Sequence, residues 1–324
     1  MKVHILDDWF DTLRHLPCFA KLVGHEVTIW NDHVQETDVL AERLQDAEAI
    51  CLFRERTKIQ RDLLERLPNL KLISQRSVYP HIDVPACTEH GVLLCSDQHA
   101  GSPSYAAAEL TFGLVLAAMR QIPQQMESLK AGHWQMGVGR SLRHKTIGIW
   151  SYGRLGQAVA KYASAFDMDV QVWGGEQSCA AAVADGFRKA DSREAFFATS
   201  DVVCLLIRLY PATRHMIKVS DLACMKPEAL LVNTSRAPLI EEGALYEALK
   251  AGRPGMAAVD VFEHEPVGSE GHPLLTLPNV IATPHIGYVS HDEYETQFTD
   301  IFEQVVAFDK GQPVSMINPE AWKG

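Results

Sequence analysis

The chain has 324 residues, 47% of them hydrophobic and 22% charged, which supplies a sizeable core and, by length, predicts two domains. A formal net charge of −11 argues against nucleic acid or an anionic membrane surface as the main partner, and no apolar run approaches the ~18 residues of a membrane span. The N-terminal MKVHILDDW has no signal-peptide core, and the seven scattered cysteines form no C-x-x-C pair, so a cytoplasmic protein with reduced thiols and no metal site is expected.

Val3 to Leu6, Val27 to Trp30, Ala49 to Phe53, Leu70 to Ser74 and Val92 to Cys95 read as short strands. Helical stretches are predicted between them, around Phe10 to Leu22, Thr37 to Gln45 and Ile59 to Leu67. Alternating strands and helices imply a first α/β unit with a parallel sheet covered on both faces. Ser102, Pro103 and Ser104 break the pattern, and the apolar run Tyr105 to Met119 then reads as a buried helix linking into a second unit. Pro123 and the polar residues after it predict a loop through Gly132-His133-Trp134, with Trp134 as a packed anchor rather than a substrate contact.

The second unit opens at KTIGIWSYGRLGQAVA. Ile147 to Trp150 reads as a buried strand, Ser151 to Gly156 as a glycine-bearing turn, and Gln157 onward as a helix with Ala158, Val159 and Tyr162 on one face. Strand, tight turn and helix together are the setting in which backbone N–H groups and the helix dipole hold a pyrophosphate. In that reading Gly153 admits the phosphates and Gly156 lets the helix pack on its strand. The same stretch also suits an ordinary βα turn, because Ser151 stands where the dinucleotide fingerprint has its first glycine. Strands are predicted at Val170 to Trp173, Phe187 to Lys189, Val202 to Ile207, Leu230 to Asn233, Ala257 to Val261 and Val280 to Ala282, and a long helix over Asp292 to Phe308 with Ile301, Val305 and Phe308 as core. The expected fold is α/β with two doubly wound parallel sheets, whose ligands bind at the C-terminal strand ends.

Three strand ends in the second unit carry more polar chemistry than a turn needs. Asn233-Thr234-Ser235-Arg236-Ala237 follows LLV, Asp260 ends a strand shortly before Glu265-Pro266, and Thr283-Pro284-His285-Ile286-Gly287 follows VIA. Taken singly, His285 suits a loop, Arg236 a surface cation and Glu265 a turn cap. Together they suit hydride transfer to a ketone, which leaves negative charge on oxygen. An imidazole can donate the proton, a carboxylate beside it favours the imidazolium, and a guanidinium can hold a carboxylate while polarising the adjacent carbonyl.

At these residues the chain resembles the D-isomer-specific 2-hydroxyacid dehydrogenase family. MKPEALLVNTSRAPLIEEGALYEAL, GMAAVDVFEHEP and LPNVIATPHIG carry the resemblance, which extends over nearly the whole length. It implies a flavodoxin-like substrate domain of residues 1–100 plus 290–324, and a Rossmann cofactor domain of residues 101–289. It implies NAD or NADP as cofactor, a small 2-oxo or D-2-hydroxy acid as substrate, and a homodimer formed through the cofactor domain. Arg236 would bind the substrate's carboxylate and keto oxygen, His285 would be the acid/base, and Glu265 its partner. In the turn formed by Ser151, Tyr152, Gly153, Arg154, Leu155 and Gly156, Arg154 and Leu155 would meet the pyrophosphate. Thr234, Ser235, Asp260 and Gly287 would lie near the nicotinamide, and the backbone of Ser77, Val78 and Tyr79 would hold the substrate carboxylate. A relative of this fold that senses NAD(H) without catalysis is the alternative function.

Three departures from the family pattern stand out. Ser151 replaces glycine and fits with a negative φ, its hydroxyl within reach of a phosphate. Gly174-Gly175-Glu176 lack the usual acid at the end of the second strand, so Glu176 is the expected acceptor for the ribose and the expected source of NAD preference, with Arg193 as a nearby cation for a 2′-phosphate. Tyr79 replaces glycine in the carboxylate-binding loop and is expected to narrow the pocket. Arg208 stands where proline is common.

Overall fold

The computed structural model describes residues 1–97 and 104–324. It divides into two compact units, Met1–Pro103 with Ser290–Gly324, and Ser104–Val289. The break read at Ser102 and Pro103 lies outside the described residues.

The described residues of the first unit hold five strands, β1 (Lys2–Ile5), β2 (Glu26–Ile29), β3 (Ala49–Cys51), β4 (Leu72–Arg76) and β5 (Leu93–Asp97). They pair in parallel in the order β2-β1-β3-β4-β5, the flavodoxin-like order expected. Burial on both faces explains the continuous apolar residues of the central strand β3, whereas the edge strand β2, Glu26-Val27-Thr28-Ile29, is only partly buried and alternates. Leu6, Ile50, Leu52, Ile73 and Leu94 join the helical residues Leu40, Leu63 and Ala86 in one core cluster. The C-terminal helix His291–Asp309 lies on the other face, where Ser74 Oγ donates to the Ile301 carbonyl at 2.8 Å. Ile301 and Val305 are buried as expected, and Phe308 is half-buried against Trp322.

Local helix lengths differ from the sequence reading. Phe10 to Leu22 is not one helix but two 3₁₀ turns, Leu13–His15 and Pro17–Leu22, because Pro17 cannot donate within a continuing helix. Ile59 to Leu67 shortens to the helix Arg61–Leu64, since Ile59 instead bridges to Ile82. A further helix, Val84–Glu89, is capped by the Asp83 carboxylate accepting from the Ala86 N–H.

The second unit holds β6 (Thr146–Trp150), β7 (Asp169–Trp173), β8 (Arg188–Lys189), β9 (Val202–Leu205), β10 (Leu230–Asn233), β11 (Met256–Val259) and β12 (Val280–Ala282). All pair in parallel, in the order β12-β11-β10-β9-β6-β7-β8. The chain reverses direction across the sheet between β6 and β9, where Trp150 pairs with Leu205. A Rossmann sheet opens its ligand crevice at this place. Successive strand residues face opposite sides, so Ile147, Ile149, Val172 and Val232 pack in one core and Trp150, Val203, Leu205 and Leu231 in another. The run from Tyr105 forms the helix Ala106–Met119, buried as predicted on the first of these cores.

Two expectations fail in the segment that follows. The run after Pro123 is a helix, Ile122–Lys130, with Pro123 in its first turn, where a missing N–H costs nothing. Trp134 is no packed anchor, because it is 81% exposed.

Candidate active site

The ends of β10, β11 and β12 lie side by side, with Asn233, Val259 and Ala282 near their C-terminal limits. Each of the three loops that follow brings one of the predicted catalytic residues to the same sheet edge.

After β10 the chain turns under its own side chains. Asn233 Oδ1 accepts the Ser235 N–H at 3.1 Å, and Asn233 Nδ2 donates to the Arg236 carbonyl at 3.1 Å. Ser235 Oγ donates to the Leu205 carbonyl at 2.9 Å, tying the loop to the end of β9. Thr234 is buried, its hydroxyl 2.6 Å from that of Thr111 on the helix Ala106–Met119. Thr111 escaped the sequence reading; its signal is a hydroxyl inside a largely apolar helical run that also carries Glu109. Arg236 is half-buried, and its Nη1 donates to the Ser235 carbonyl at 2.8 Å.

Glu265 and His285 meet directly, His285 Nδ1 lying 2.5 Å from Glu265 Oε2. The other carboxylate oxygen accepts the Phe262 N–H at 2.8 Å, which fixes the carboxylate in place. With Nδ1–H given to a carboxylate, the imidazole keeps Nε2 for proton exchange. Tyr288 packs edge-on against the imidazole at 5.6 Å. His285 adopts φ +51°, a left-handed conformation costly for a residue with a side chain.

That conformation is held by Asp260. Its side chain is fully buried at the end of β11. Oδ1 accepts from Thr283 Oγ1 at 2.6 Å and from the Ile286 N–H at 2.8 Å, and Oδ2 accepts from the Gly287 N–H at 2.9 Å. Burial pushes the Asp260 carboxyl above its ordinary range, while these hydrogen bonds and the nearby His285 pull the other way. A Cβ on Gly287 would lie 3.2 Å from Asp260 Oδ2 and 3.5 Å from Ala107 Cβ, so the close approach of this turn favours glycine.

The glycine turn after β6 fits a dinucleotide on its own geometry. Gly153 precedes the helix Arg154–Ala165, and among the described residues no side chain caps that helix start. A Cβ on Gly153 would meet nothing within 4 Å, whereas one on Gly156 would lie 2.3 Å from the Ser151 carbonyl oxygen. Among the described residues, space therefore remains beside Gly153 at the helix start, and Gly156 is required for the helix to close on the strand. Ser151 departs from expectation, with φ +84° in place of a negative value. The turn keeps the backbone shape glycine would give it, and the serine carries the strain. Tyr152 is buried, Arg154 is exposed and Leu155 is half-buried.

Past β7, Gly175 precedes the helix Glu176–Ala184, with Glu176 exposed in its first turn. Arg193 is no open phosphate partner. Its guanidinium binds the Asp221 carboxylate through two contacts of 2.7 Å, donates to the Met216 carbonyl and lies 5.0 Å from the Trp150 ring centroid. Arg208 is exposed beside Tyr210.

In the first unit, Ser77 takes φ +80° at the end of β4. The buried Gln75 amide donates to the Ser77 and Val78 carbonyls at 3.1 and 3.3 Å, turning both inward. Val78 is exposed. The Tyr79 ring is partly buried, packed against the apolar core of its own unit.

Comparison with known proteins supports the family resemblance. Residues 112–287 match the family model of the D-isomer specific 2-hydroxyacid dehydrogenase, NAD binding domain. The chain is 40% identical to the D-3-phosphoglycerate dehydrogenase of Methanocaldococcus jannaschii over 84% of its own length, and spans about half (52%) of that enzyme. It is 33% identical to the glyoxylate reductase of Thermococcus litoralis over 91% of both chains. Among solved structures, the phosphoglycerate oxidoreductase of Vibrio cholerae O395 superposes with a TM-score of 0.91 at 47% identity, over 96% of this chain and 99% of that one. The chain belongs to the D-isomer specific 2-hydroxyacid dehydrogenase family, oxidoreductases that pass hydride between a nicotinamide dinucleotide and a 2-oxo or 2-hydroxy acid.

Proposed function

We propose that this chain reversibly reduces a 2-oxo acid to the D-2-hydroxy acid, with Arg236, Glu265 and His285 as the catalytic residues. The reading rests above all on the Glu265–His285 hydrogen bond, at the sheet edge that also carries Arg236. Bound NAD(H) gives or takes the hydride. Arg236 binds the substrate carboxylate and polarises the keto oxygen, which gains negative charge as reduction proceeds. His285 passes its Nε2 proton to that oxygen, and Glu265 favours the imidazolium needed for the step. In oxidation the same nitrogen removes the hydroxyl proton.

The backbone of Arg154 and Leu155 is the proposed pyrophosphate contact, in the turn built by Ser151, Tyr152, Gly153 and Gly156. Gly174, Gly175 and Glu176 are assigned to the adenosine side, and Thr234, Ser235, Asp260 and Gly287 to the nicotinamide side. The backbone N–H groups of Val78 and Tyr79 are assigned to the substrate carboxylate, and residues 1–100 with 290–324 to substrate binding. NAD is the proposed preference, because Glu176 would repel a 2′-phosphate and Arg193 is engaged by Asp221. Glyoxylate, hydroxypyruvate and D-3-phosphoglycerate, which name the activities of several relatives, form the substrate panel. The six free cysteines that are buried, with Cys224 half-buried, suit a reducing cytoplasm.

A homodimer through the second unit is also proposed. Ile122, Met126 and Leu129 share one face of their helix, and Trp134, Met136 and Val138 follow, all six exposed.

The test is turnover by purified protein, of glyoxylate and hydroxypyruvate with NADH and NADPH, and of D-3-phosphoglycerate with NAD+ and NADP+. His285→Ala is expected to lower kcat by ~10²–10⁴, the usual worth of a general acid. Equal rates for the variant and the wild type would overturn the assignment.

A further inference from the structure

The helix Glu176–Ala184 grips the cofactor turn at two points. The Tyr152 N–H donates to Ser178 Oγ at 2.5 Å, and the Tyr152 hydroxyl donates to Asp185 Oδ2 at 2.8 Å. Ser178 lies in the first turn of that helix and Asp185 is its C-cap residue, so one residue of the turn is tied to both ends of a neighbouring helix. The Tyr152 ring is buried against Phe187 at 5.8 Å. Burial and the Asp185 carboxylate both push the phenol's pKa up, which keeps it a neutral donor.

The adjoining residue shows why such a grip matters here. Ser151 holds φ +84° without the freedom of glycine, and its N–H donates to the Trp173 carbonyl at 2.8 Å. The turn is thus anchored through two successive N–H groups, one to the end of β7 and one to the helix after it. A side chain at Gly174 would enter this contact, since a Cβ there would lie 3.3 Å from Ser178 Oγ and 3.6 Å from Ser151 Cα. The acid that commonly reads the ribose would start from this same Cβ.

We propose that Ser178 is a positioning residue for dinucleotide binding, holding the Ser151–Tyr152 turn in the shape that presents the N–H groups of the helix Arg154–Ala165. The inference rests on the assignment of this turn to the pyrophosphate. It gives position 174 a role of its own: this chain uses the end of β7 to brace the phosphate turn, and the glycine there leaves room for the brace. Tyr152 and Asp185 form the second arm of the same clasp.

The experiment combines NADH titration, followed by calorimetry, with amide exchange of Tyr152 in the cofactor-free protein. Ser178→Ala is expected to raise the Kd for NADH about three- to tenfold, the loss of one hydrogen bond, and to speed Tyr152 exchange. Its kcat at saturating NADH should stay within about twofold of the wild type, a split between binding and chemistry. Tyr152→Phe removes only the Asp185 arm and should raise Kd by a smaller factor. Ser151→Gly should recover most of the affinity lost in Ser178→Ala, because glycine adopts that φ unaided. An unchanged Kd and unchanged Tyr152 exchange in Ser178→Ala would overturn the inference alone. So would an equal loss in the serine and glycine backgrounds at position 151. Absence of NADH binding by the wild type would overturn the cofactor assignment and the inference together.

Discussion

The Asp260 carboxylate accepts the Gly287 N–H at 2.9 Å, and the same carboxylate holds Ile286 and Thr283 through its other oxygen. His285 lies inside this turn, so a buried acid just past β11 fixes the backbone that aims the imidazole. Asp260→Asn must turn an amide N–H towards at least one of these donors. The variant should lose about 1–3 kcal/mol of stability, the cost of a buried group left unpaired, and show a lower kcat. Denaturant titration and steady-state kinetics check both.

Glu265→Gln keeps the shape of the side chain but removes the charge that supports the imidazolium. The hydrogen bond that orients the ring and balances its charge during proton transfer is weakened, so the reductive kcat should fall about tenfold or more. Steady-state kinetics in the reductive direction read this, and an unchanged kcat would refute the pairing's role.

Ser151→Gly relieves a left-handed serine at φ +84°. The strain removed is roughly 1–2 kcal/mol, and the greater freedom of glycine in the unfolded chain takes back about 0.5–1 kcal/mol. A small net gain is expected, visible as a rise in Tm of a few degrees in the cofactor-free protein.

His81 predicts acid sensitivity of the first unit. It is buried, and both ring nitrogens lack a hydrogen-bond partner among the described residues. Burial pushes its pKa from 6.5 down to about 4. The unfolded chain therefore binds a proton near pH 6.5 that the folded chain refuses until about pH 4. Stability from this group is complete above pH 6.5 and is lost as pH falls through that window, by about 3 kcal/mol. His81→Leu should flatten this part of the dependence of unfolding free energy on pH, measured by denaturant titration between pH 7 and 4.

The exposed apolar face predicts an assembly. Met126→Asp combined with Trp134→Ser should shift a dimer to monomer in sedimentation velocity without lowering Tm by more than a few degrees, because neither side chain packs into the core of its own unit.

The amino-acid order made the two sheets legible, because most of their strands are written as short apolar runs separated by turn residues. It also determined the chemistry available, since Arg236, Glu265 and His285 each follow such a run in the same half of the chain. Where packing rather than pattern decides, it was silent or misleading. Pro123 looked like a break and is a helix start; Trp134 looked like an anchor and lies bare. Glu265 meets His285 across 20 residues once the sheet has formed, and the same folding sets the Thr111 hydroxyl on Thr234 and Ser178 on Tyr152. Those pairings depend on which strand ends lie side by side, and strand order is set by the whole sheet. The sign of φ at Ser151 was likewise hidden, because a turn imposed by its strand and helix can override the local preference of the residue within it.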